Sequence, residues 1–417
     1  MTLRAPAAWI RVALAMFAVG WGANQFSPML IVYRHALGLG SAEIAGLFAI
    51  YAATLIPGLL AGGPLSDRYG RRACVLPFAA LSPVATLLLI LGPRDLPLIA
   101  AGRALAGVCS GMVFGPATAW VQDLSGGSAL SARRAALALS AGFGLGPIVA
   151  AALAQWAAHP LVVPYLPHLV LGVVALAAVW TVPDVRRAGV QAPAQQVPMQ
   201  PGLAARRWAV PAALRSRAFW LTVAPAAPFV FGSISMAIVV LPEEVTSAST
   251  LSAAFAGLMT VLAFAAGIGV QPAARVLAER NDRLGILAGT GAAAAGAAVS
   301  AIAVAGPDRM LAGLGAVLLG LAYGLCLVCG LHQAEQLSGP TDRGAVLSCY
   351  YVLAYLGFSV PYAMTGLNEV FGKPGTFAVL AVVAAVLTGL LAIGAARGRP
   401  AVIGEPQAAH TWDHARS

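Results

Sequence analysis

The residues best placed to do chemistry in this chain are charged ones at the ends of long apolar runs. The densest group is Gly63-Pro64-Leu65-Ser66-Asp67-Arg68-Tyr69-Gly70-Arg71-Arg72, with Asp123 further along. Asp67 and Arg71 stand four apart and can pair where a helix ends, and Gly70 permits the tight turn the run needs. What such a group offers is the making and breaking of ion pairs. Arg103 lies inside an apolar run, where a charge is costly unless it faces a cavity or a partner. Asn24 and Gln25 interrupt another run and need partners, from a bound solute or a neighbouring helix. Tyr351 and Tyr355 stand one turn apart in a third. Covalent chemistry finds no footing. Cys326-x-x-Cys329 lies in an apolar run with no second pair and reads as packing. His410 and His414 lack the Glu of a metalloprotease helix. The single lysine, Lys373, sits in no phosphate-binding loop. The sequence therefore predicts no catalytic centre, no metal and no cofactor.

The elements that hold these residues follow from composition. The 417 residues are 59% hydrophobic and only 10% charged, with a mean hydropathy of +0.83. Soluble domains carry roughly 25% charged residues, so a soluble globule is excluded. A net charge of +10 invites nucleic acid, but the charges fall in short clusters between apolar runs and form no basic face. Twenty apolar residues cross a bilayer, and runs of about that length fall near 10–33, 43–63, 73–92, 96–122, 134–157 and 163–182, then near 217–241, 249–272, 284–305, 309–333, 344–366 and 374–396. The reading is all-α and polytopic: an amino-terminal six-helix bundle (1–182), a Pro-rich cytoplasmic linker (183–216), a carboxy-terminal six-helix bundle (217–396) and a tail (397–417). The first run is long enough to be an uncleaved helix and not a signal peptide. With both termini cytoplasmic, 20 arginines fall on the cytoplasmic side and only Arg34, Arg94, Arg309 and Lys373 on the other, as positive-inside topology requires. The arginine and alanine bias points to a GC-rich bacterial genome, hence a bacterial cytoplasmic membrane.

The run from Gly63 to Arg72 resembles the signature loop of the major facilitator superfamily, G-x-L-x-D-R-x-G-R-R, in the position that family keeps it, between spans 2 and 3. The resemblance covers spans 1 to 12. It implies two six-helix bundles around a central cavity, working as a monomer by alternating access. It further implies that Asp67, Arg71 and Asp123 form a charge cluster latching one state, with the loop acid meeting the N-terminus of span 11. An offset of 212 residues carries Asp67, Arg68, Arg71 and Asp123 onto Glu279, Arg280, Arg283 and Glu335, which reads as a duplicated half with a weaker copy of the loop.

Two further resemblances point toward proton-coupled export. Arg103 followed by Gly107, Gly111 and Gly115 looks like the family's span 4 motif, the glycines letting a neighbouring helix approach. Gly142, Gly146 and Pro147 match the antiporter motif of span 5, which lacks its closing glycine: Ala150 and Ala151 stand there. That motif is expected to bend span 5 and let it approach its partner in the other half. With no acid read at mid-membrane, Arg103 favours neutral or anionic cargo over cations. The leading expectation is a secondary exporter of neutral or anionic amphipathic small molecules, driven by protons. The alternatives are an importer or facilitator of a small polar metabolite and, less favoured, a transporter-like sensor.

Overall fold

The computed structural model describes residues 5–125, 129–184, 212–246, 252–338 and 343–397. Most of the linker and nearly all of the tail, with His410 and His414, lie outside these. Among the described residues every regular element is helical. Ten segments are long and apolar enough to cross a membrane. One of them, Cys349–Gly394, has 46 residues and reverses at Gly372 (φ 67°), so it makes two spans. Ala5–Asn24 and Met29–Leu37 together form span 1, which completes twelve.

The amino-terminal half then runs through span 2 (Ser41–Tyr69), span 3 (Arg71–Leu91), span 4 (Leu96–Leu124), span 5 (Ala129–Trp156) and span 6 (Leu166–Trp180). The carboxy-terminal half begins with span 7, built of Phe219–Val223, Pro228–Ser235, Met236–Val240 and Leu241–Thr246. Span 8 (Ser252–Gly269 and Gln271–Arg280), span 9 (Asp282–Ala305) and span 10 (Arg309–Leu337) follow. Span 11 starts at Arg343, tightens at Gly357–Ser359 and runs to the Gly372 turn, and span 12 ends at Arg397.

The duplication is written in the helix boundaries. Spans 4 and 10 are both 29 residues long, and each is capped by an aspartate that accepts backbone N–H bonds: Asp95 from Leu98 at 3.0 Å, Asp308 from Met310 at 2.8 Å and Leu311 at 3.1 Å. Such caps satisfy donors that a helix start leaves open. Spans 2 and 8 start and end 211 residues apart, and spans 4 and 10 start and end 213 apart. The 212 of the sequence is thus an intermediate value, because span 9 (24 residues) is longer than span 3 (21 residues).

The first span of each half is broken. Span 1 opens between Gln25 and Pro28, whose missing N–H cannot continue the ladder; Ser27 Oγ donates to Asn24 Oδ1 at 2.8 Å and steadies the break. Span 7 opens around Pro225 and Pro228, with π-helical turns on either side. Breaks inside a membrane are tolerated where neighbouring helices take up the freed groups.

Candidate functional site

At the arginine-rich face, span 2 ends on the switch loop. Gly70 carries φ 99° and ψ 155°, a backbone that side chains rarely adopt, so a glycine here turns the chain straight into span 3. Arg71 reaches across the half: its Nε lies 3.4 Å from Asp123 Oδ2 on span 4, and its Nη1 donates to Ser66 Oγ at 2.6 Å. Arg72 donates through Nη2 to the Trp180 carbonyl at 2.7 Å, while its backbone N–H meets Asp184 Oδ2 at 3.3 Å. Asp184, unforeseen from sequence, thereby puts an anion at the N-terminus of span 3, where the helix dipole favours one. Arg68 is exposed and lies over the Tyr69 ring. Gly63 faces open space, whereas its neighbour Gly62 lies against span 4 at Gly111. Asp67 occupies the last turn of span 2; its side chain lies outside the described set.

The second-half copy turns by other means. Asn281, in extended backbone, separates Glu279 and Arg280 of span 8 from Arg283 of span 9. Its Oδ1 accepts from the N–H groups of Arg283 (3.1 Å) and Leu284 (3.3 Å). The residue equivalent to Gly70 in role is therefore Asn281, one before the Asp282 that the offset selects. Glu335 sits in the last turn of span 10.

Arg103 is the buried charge of the amino-terminal half, 1% exposed. Its guanidinium faces inward: Nη1 donates to the Ala23 carbonyl at 3.0 Å, beside the break in span 1, and Nε to the Leu47 carbonyl of span 2 at 3.3 Å. The rings of Phe26 (4.4 Å) and Tyr51 (4.7 Å) lie on its faces. Arg103 thus ties spans 1, 2 and 4 together. Below it, added methyls at Gly107 and Gly111 would strike the backbone of span 2, as at Leu59 N, 2.7 Å from Gly111. These glycines let spans 2 and 4 meet.

Asn24 and Gln25 find their partners in neighbouring spans. Asn24 Nδ2 donates to the Phe143 carbonyl of span 5 at 2.8 Å, and Gln25 Nε2 to Thr86 Oγ1 of span 3 at 3.0 Å. The span 5 motif corrects an expectation. Gly142 and Gly146 lie against the backbone of span 1 at Trp21, within their own half. Contact with the other half is made further along, where Ala151 meets Gly257 of span 8 and Gln155 Oε1 accepts from Ala254 N at 3.2 Å. The geometry follows from which face carries the smallest residues: the glycines serve the nearer neighbour, and an alanine suffices at the crossing between halves.

Between the halves stands an aromatic wall. Phe48 and Tyr51 of span 2 meet Phe358 of span 11 edge-on, at 5.3 and 6.3 Å. Phe231 of span 7 stacks on Phe358 at 4.7 Å and on Tyr355 at 4.4 Å. Of the two predicted tyrosines, Tyr355 belongs to this wall, while Tyr351 is 37% exposed and sits apart. Among the described residues, the buried donors without partners include one on the first span of each half: Trp21 Nε1 and Ser233 Oγ.

At the opposite, arginine-poor face, one ion pair joins the halves and a second lies within the carboxy-terminal half. Arg34 of span 1 pairs with Glu243 of span 7, and Lys373, at the turn between spans 11 and 12, lies 2.5 Å from Glu244. Glu243 and Glu244 are 8% and 9% exposed. A cavity of about 310 Å³ opens beside them, lined in part by Arg34, His35, Thr246 and Lys373. The two halves are in contact at this face through Arg34 and Glu243.

The sequence profile of the Major Facilitator Superfamily matches residues 12–360. The chain belongs to that superfamily. Solved structures similar to it share the fold over nearly its whole length. A peptide transporter POT in complex with sulfate superposes with a TM-score of 0.74 at 14% identity, covering 93% of this chain and 94% of that one. A nucleoside transporter, NupG, gives 0.70 at 12%, covering 93% and 99%. A POT family transporter in complex with 5-aminolevulinic acid gives 0.66 at 14%, covering 92% and 95%. No curated protein sequence matches.

As a facilitator-superfamily protein the chain holds two features that sequence reading missed. Glu243 and Glu244 follow Pro242 directly after an apolar run and read as loop, yet span 7 continues to Thr246. His168 sits within the apolar run of span 6 and is fully buried. An ionisable residue inside a span was the available signal. Cys326 and Cys329 line up against Gly289 and Gly285 of span 9, as packing predicts. Among the described residues no His, Cys, Asp and Glu cluster could hold a metal.

Proposed function

We propose that this protein is a proton-coupled secondary transporter of the bacterial cytoplasmic membrane, exporting neutral or anionic amphipathic small molecules by alternating access. Both termini are cytoplasmic in this reading, so the clamped face is the outer one. One observation carries it: the nearly buried carboxylate of Glu243 joins the halves at the outer face by pairing with Arg34, while its neighbour Glu244 pairs with Lys373 within the second half. Opening exposes the acids, and a proton on either one removes the charge that holds its partner. Losing the charge of Glu243 releases Arg34 of the other half and favours the open arrangement. Such opening serves proton-driven export and uptake alike, and the resemblances of spans 4 and 5 to exporter motifs favour export.

The remaining assignments follow. Asp67, Arg71, Arg72 and Asp123, with Glu279, Arg280, Arg283 and Glu335 in the copy, form the cytoplasmic latch. Arg103 couples the span 1 break to spans 2 and 4. Cargo meets the aromatic wall at Tyr355 and Phe231 and the open donors of Trp21 and Ser233. Asn24 and Gln25 pass from cargo candidates to positioning residues, since neighbouring helices hold both. Among the described residues no carboxylate lies mid-span to neutralise a cation, which supports neutral or anionic cargo. The protein acts as a monomer in the lipid bilayer.

A second reading, uptake of a small polar metabolite, draws on the peptide and nucleoside transporters that share the fold. The test is growth of an efflux-deficient bacterium expressing wild type or Asp67→Asn, challenged with cationic, neutral and anionic toxic compounds. Resistance given by wild type and lost in the variant supports export and names the charge class. Sensitisation by wild type favours uptake, and resistance confined to cations sinks the assigned cargo class.

A further inference from the structure

The amino-terminal half holds a polar string that neither the latch nor the outer clamp uses. His168 of span 6 is wholly enclosed. Its Nδ1 lies 2.7 Å from Thr86 Oγ1, and its Nε2 lies 3.5 Å from Ser82 Oγ, both on span 3. Thr86 Oγ1 also accepts from Gln25 Nε2 at 3.0 Å. Gln25 stands at the break in span 1, and its Oε1 is buried without a partner. Gly22 of span 1 leaves the room for the ring: a methyl there would come within 2.5 Å of Cε1 and Nε2.

We propose that His168 is a second proton-binding site, and that Gln25 reads its state at the break in span 1. The proposal deepens the proton-coupled reading above and rests on it for its role in transport. The argument lies in the partners. A hydroxyl donates or accepts by turning about one bond. Both ring nitrogens face hydroxyls, so the site accepts a neutral or a doubly protonated imidazole without moving a heavy atom of span 3.

The consequence reaches Gln25 by counting hydrogens. With the ring neutral at Nδ1, Thr86 donates its one hydrogen to Nδ1 and accepts from Gln25 Nε2. A proton placed on Nδ1 makes the ring the donor there, and the Thr86 hydrogen must find another acceptor. The acceptor at hand is Gln25 Oε1, which is reached when the amide turns over. A buried, half-satisfied amide thereby exchanges one bonded arrangement for another. Its neighbour Ala23 carries the carbonyl that Arg103 holds, so the exchange acts where span 1 is bent.

The groups facing the ring are otherwise uncharged. Span 1 presents Ala18, Val19 and Gly22, and span 3 presents Ala79 beside its two hydroxyls. In the turn just before span 6, Tyr165 is bonded to Tyr33 at 3.0 Å. Arg103 sits beyond span 1, at the Ala23 carbonyl. No carboxylate among the described residues faces the imidazole. Its proton therefore arrives when spans 1, 3 and 6 part enough to admit water, since the gap beside the ring holds no water-sized space now.

The experiment uses the full chain, labelled with ¹⁵N-histidine, in lipid nanodiscs, with imidazole signals followed as pH changes. The His168 signal is identified by its loss in His168→Gln. Thr86→Val supplies a second identification, moving one histidine titration and no other. The expected result is a signal that passes from a neutral tautomer to the doubly protonated ring as pH falls from about 8 to about 4, and whose titration shifts in Gln25→Leu. A ring that stays neutral throughout that range overturns the proposal, as does a titration indifferent to Gln25. Proton uptake by wild type in liposomes, driven by cargo, separates the two claims. Coupled flux with a silent His168 overturns this site alone; a titrating His168 with no coupled flux overturns the transport reading alone.

Discussion

The two halves bury polar side chains in opposite ways. In the amino-terminal half the bonds run between spans: Asn24 to the Phe143 carbonyl, Gln25 to Thr86, Thr86 to His168, Thr54 to the Ala104 carbonyl, and Arg103 to two carbonyls. In the carboxy-terminal half they mostly close on their own helix: Thr246 to Pro242, Thr260 to Ala256, Ser300 to Gly296 and Thr376 to Gly372. Tyr350 to the Cys326 carbonyl, Thr388 to Thr290, Ser235 to the Gly357 carbonyl and Cys329 Sγ to the Ala274 carbonyl are cross-span bonds there. A helix that satisfies its own hydroxyls can slide past its neighbour without breaking a bond. A helix tied to its neighbour cannot. The π-helical turns of span 7 and the tightened turn of span 11 fall in the half that is free to slide. The contrast makes the first half a bonded frame and the second half the part that deforms.

Removing the centre of the frame should do the most damage. Arg103→Leu leaves two buried carbonyls open and loses two charged bonds, about 3 kcal/mol or roughly a hundredfold in transport. Arg103→Lys should fall between the two, because an ammonium lacks the planar fork that reaches both carbonyls under two rings. Transport in liposomes and unfolding temperature in detergent measure both. If Arg103→Leu transports as wild type does, the frame has been misplaced.

Loosening the clamp between frame and moving half should come next. Glu243→Gln is expected to shift the population toward outward-open by roughly tenfold, read as faster labelling of Thr246→Cys by a membrane-impermeant thiol reagent. Unchanged labelling would dissociate the clamp from opening.

The smallest effect comes from a matched pair. Thr86→Val strips the string between Gln25 and His168 and should cost about 1–3 kcal/mol. Thr260→Val removes a hydroxyl bonded only within its own helix and should stay within about 0.5 kcal/mol. Thermal unfolding in lipid nanodiscs compares them. Equal losses would erase the distinction between the halves.

The sequence made the frame's outline legible and hid its joints. Twelve spans could be read because lipid requires about twenty apolar residues for each. Gly70 could be read because a turn is a local matter, whereas the Arg71–Asp123 pair, 52 residues apart, was read through the family resemblance. Glu243 and Glu244 were hidden because hydropathy ends a span at its first charge, whereas pairing with Arg34 and Lys373 lets the helix continue. His168 was hidden because Thr86 and Gln25 come from distant spans, and only the fold brings them to it. The span 5 glycines could be read as contact residues, but their partner could not, because one stripe of small residues suits any neighbour.

The hold on Arg103 also bears on how the chain is made. An arginine within a span resists entry into lipid by about 3 kcal/mol when the helix arrives alone. Span 4 does not arrive alone. The carbonyls of Ala23 and Leu47, and the rings of Phe26 and Tyr51, belong to spans 1 and 2, which leave the ribosome first. The charge is born after its receptacle, so the order of synthesis is also the order in which each span becomes able to stay in the bilayer.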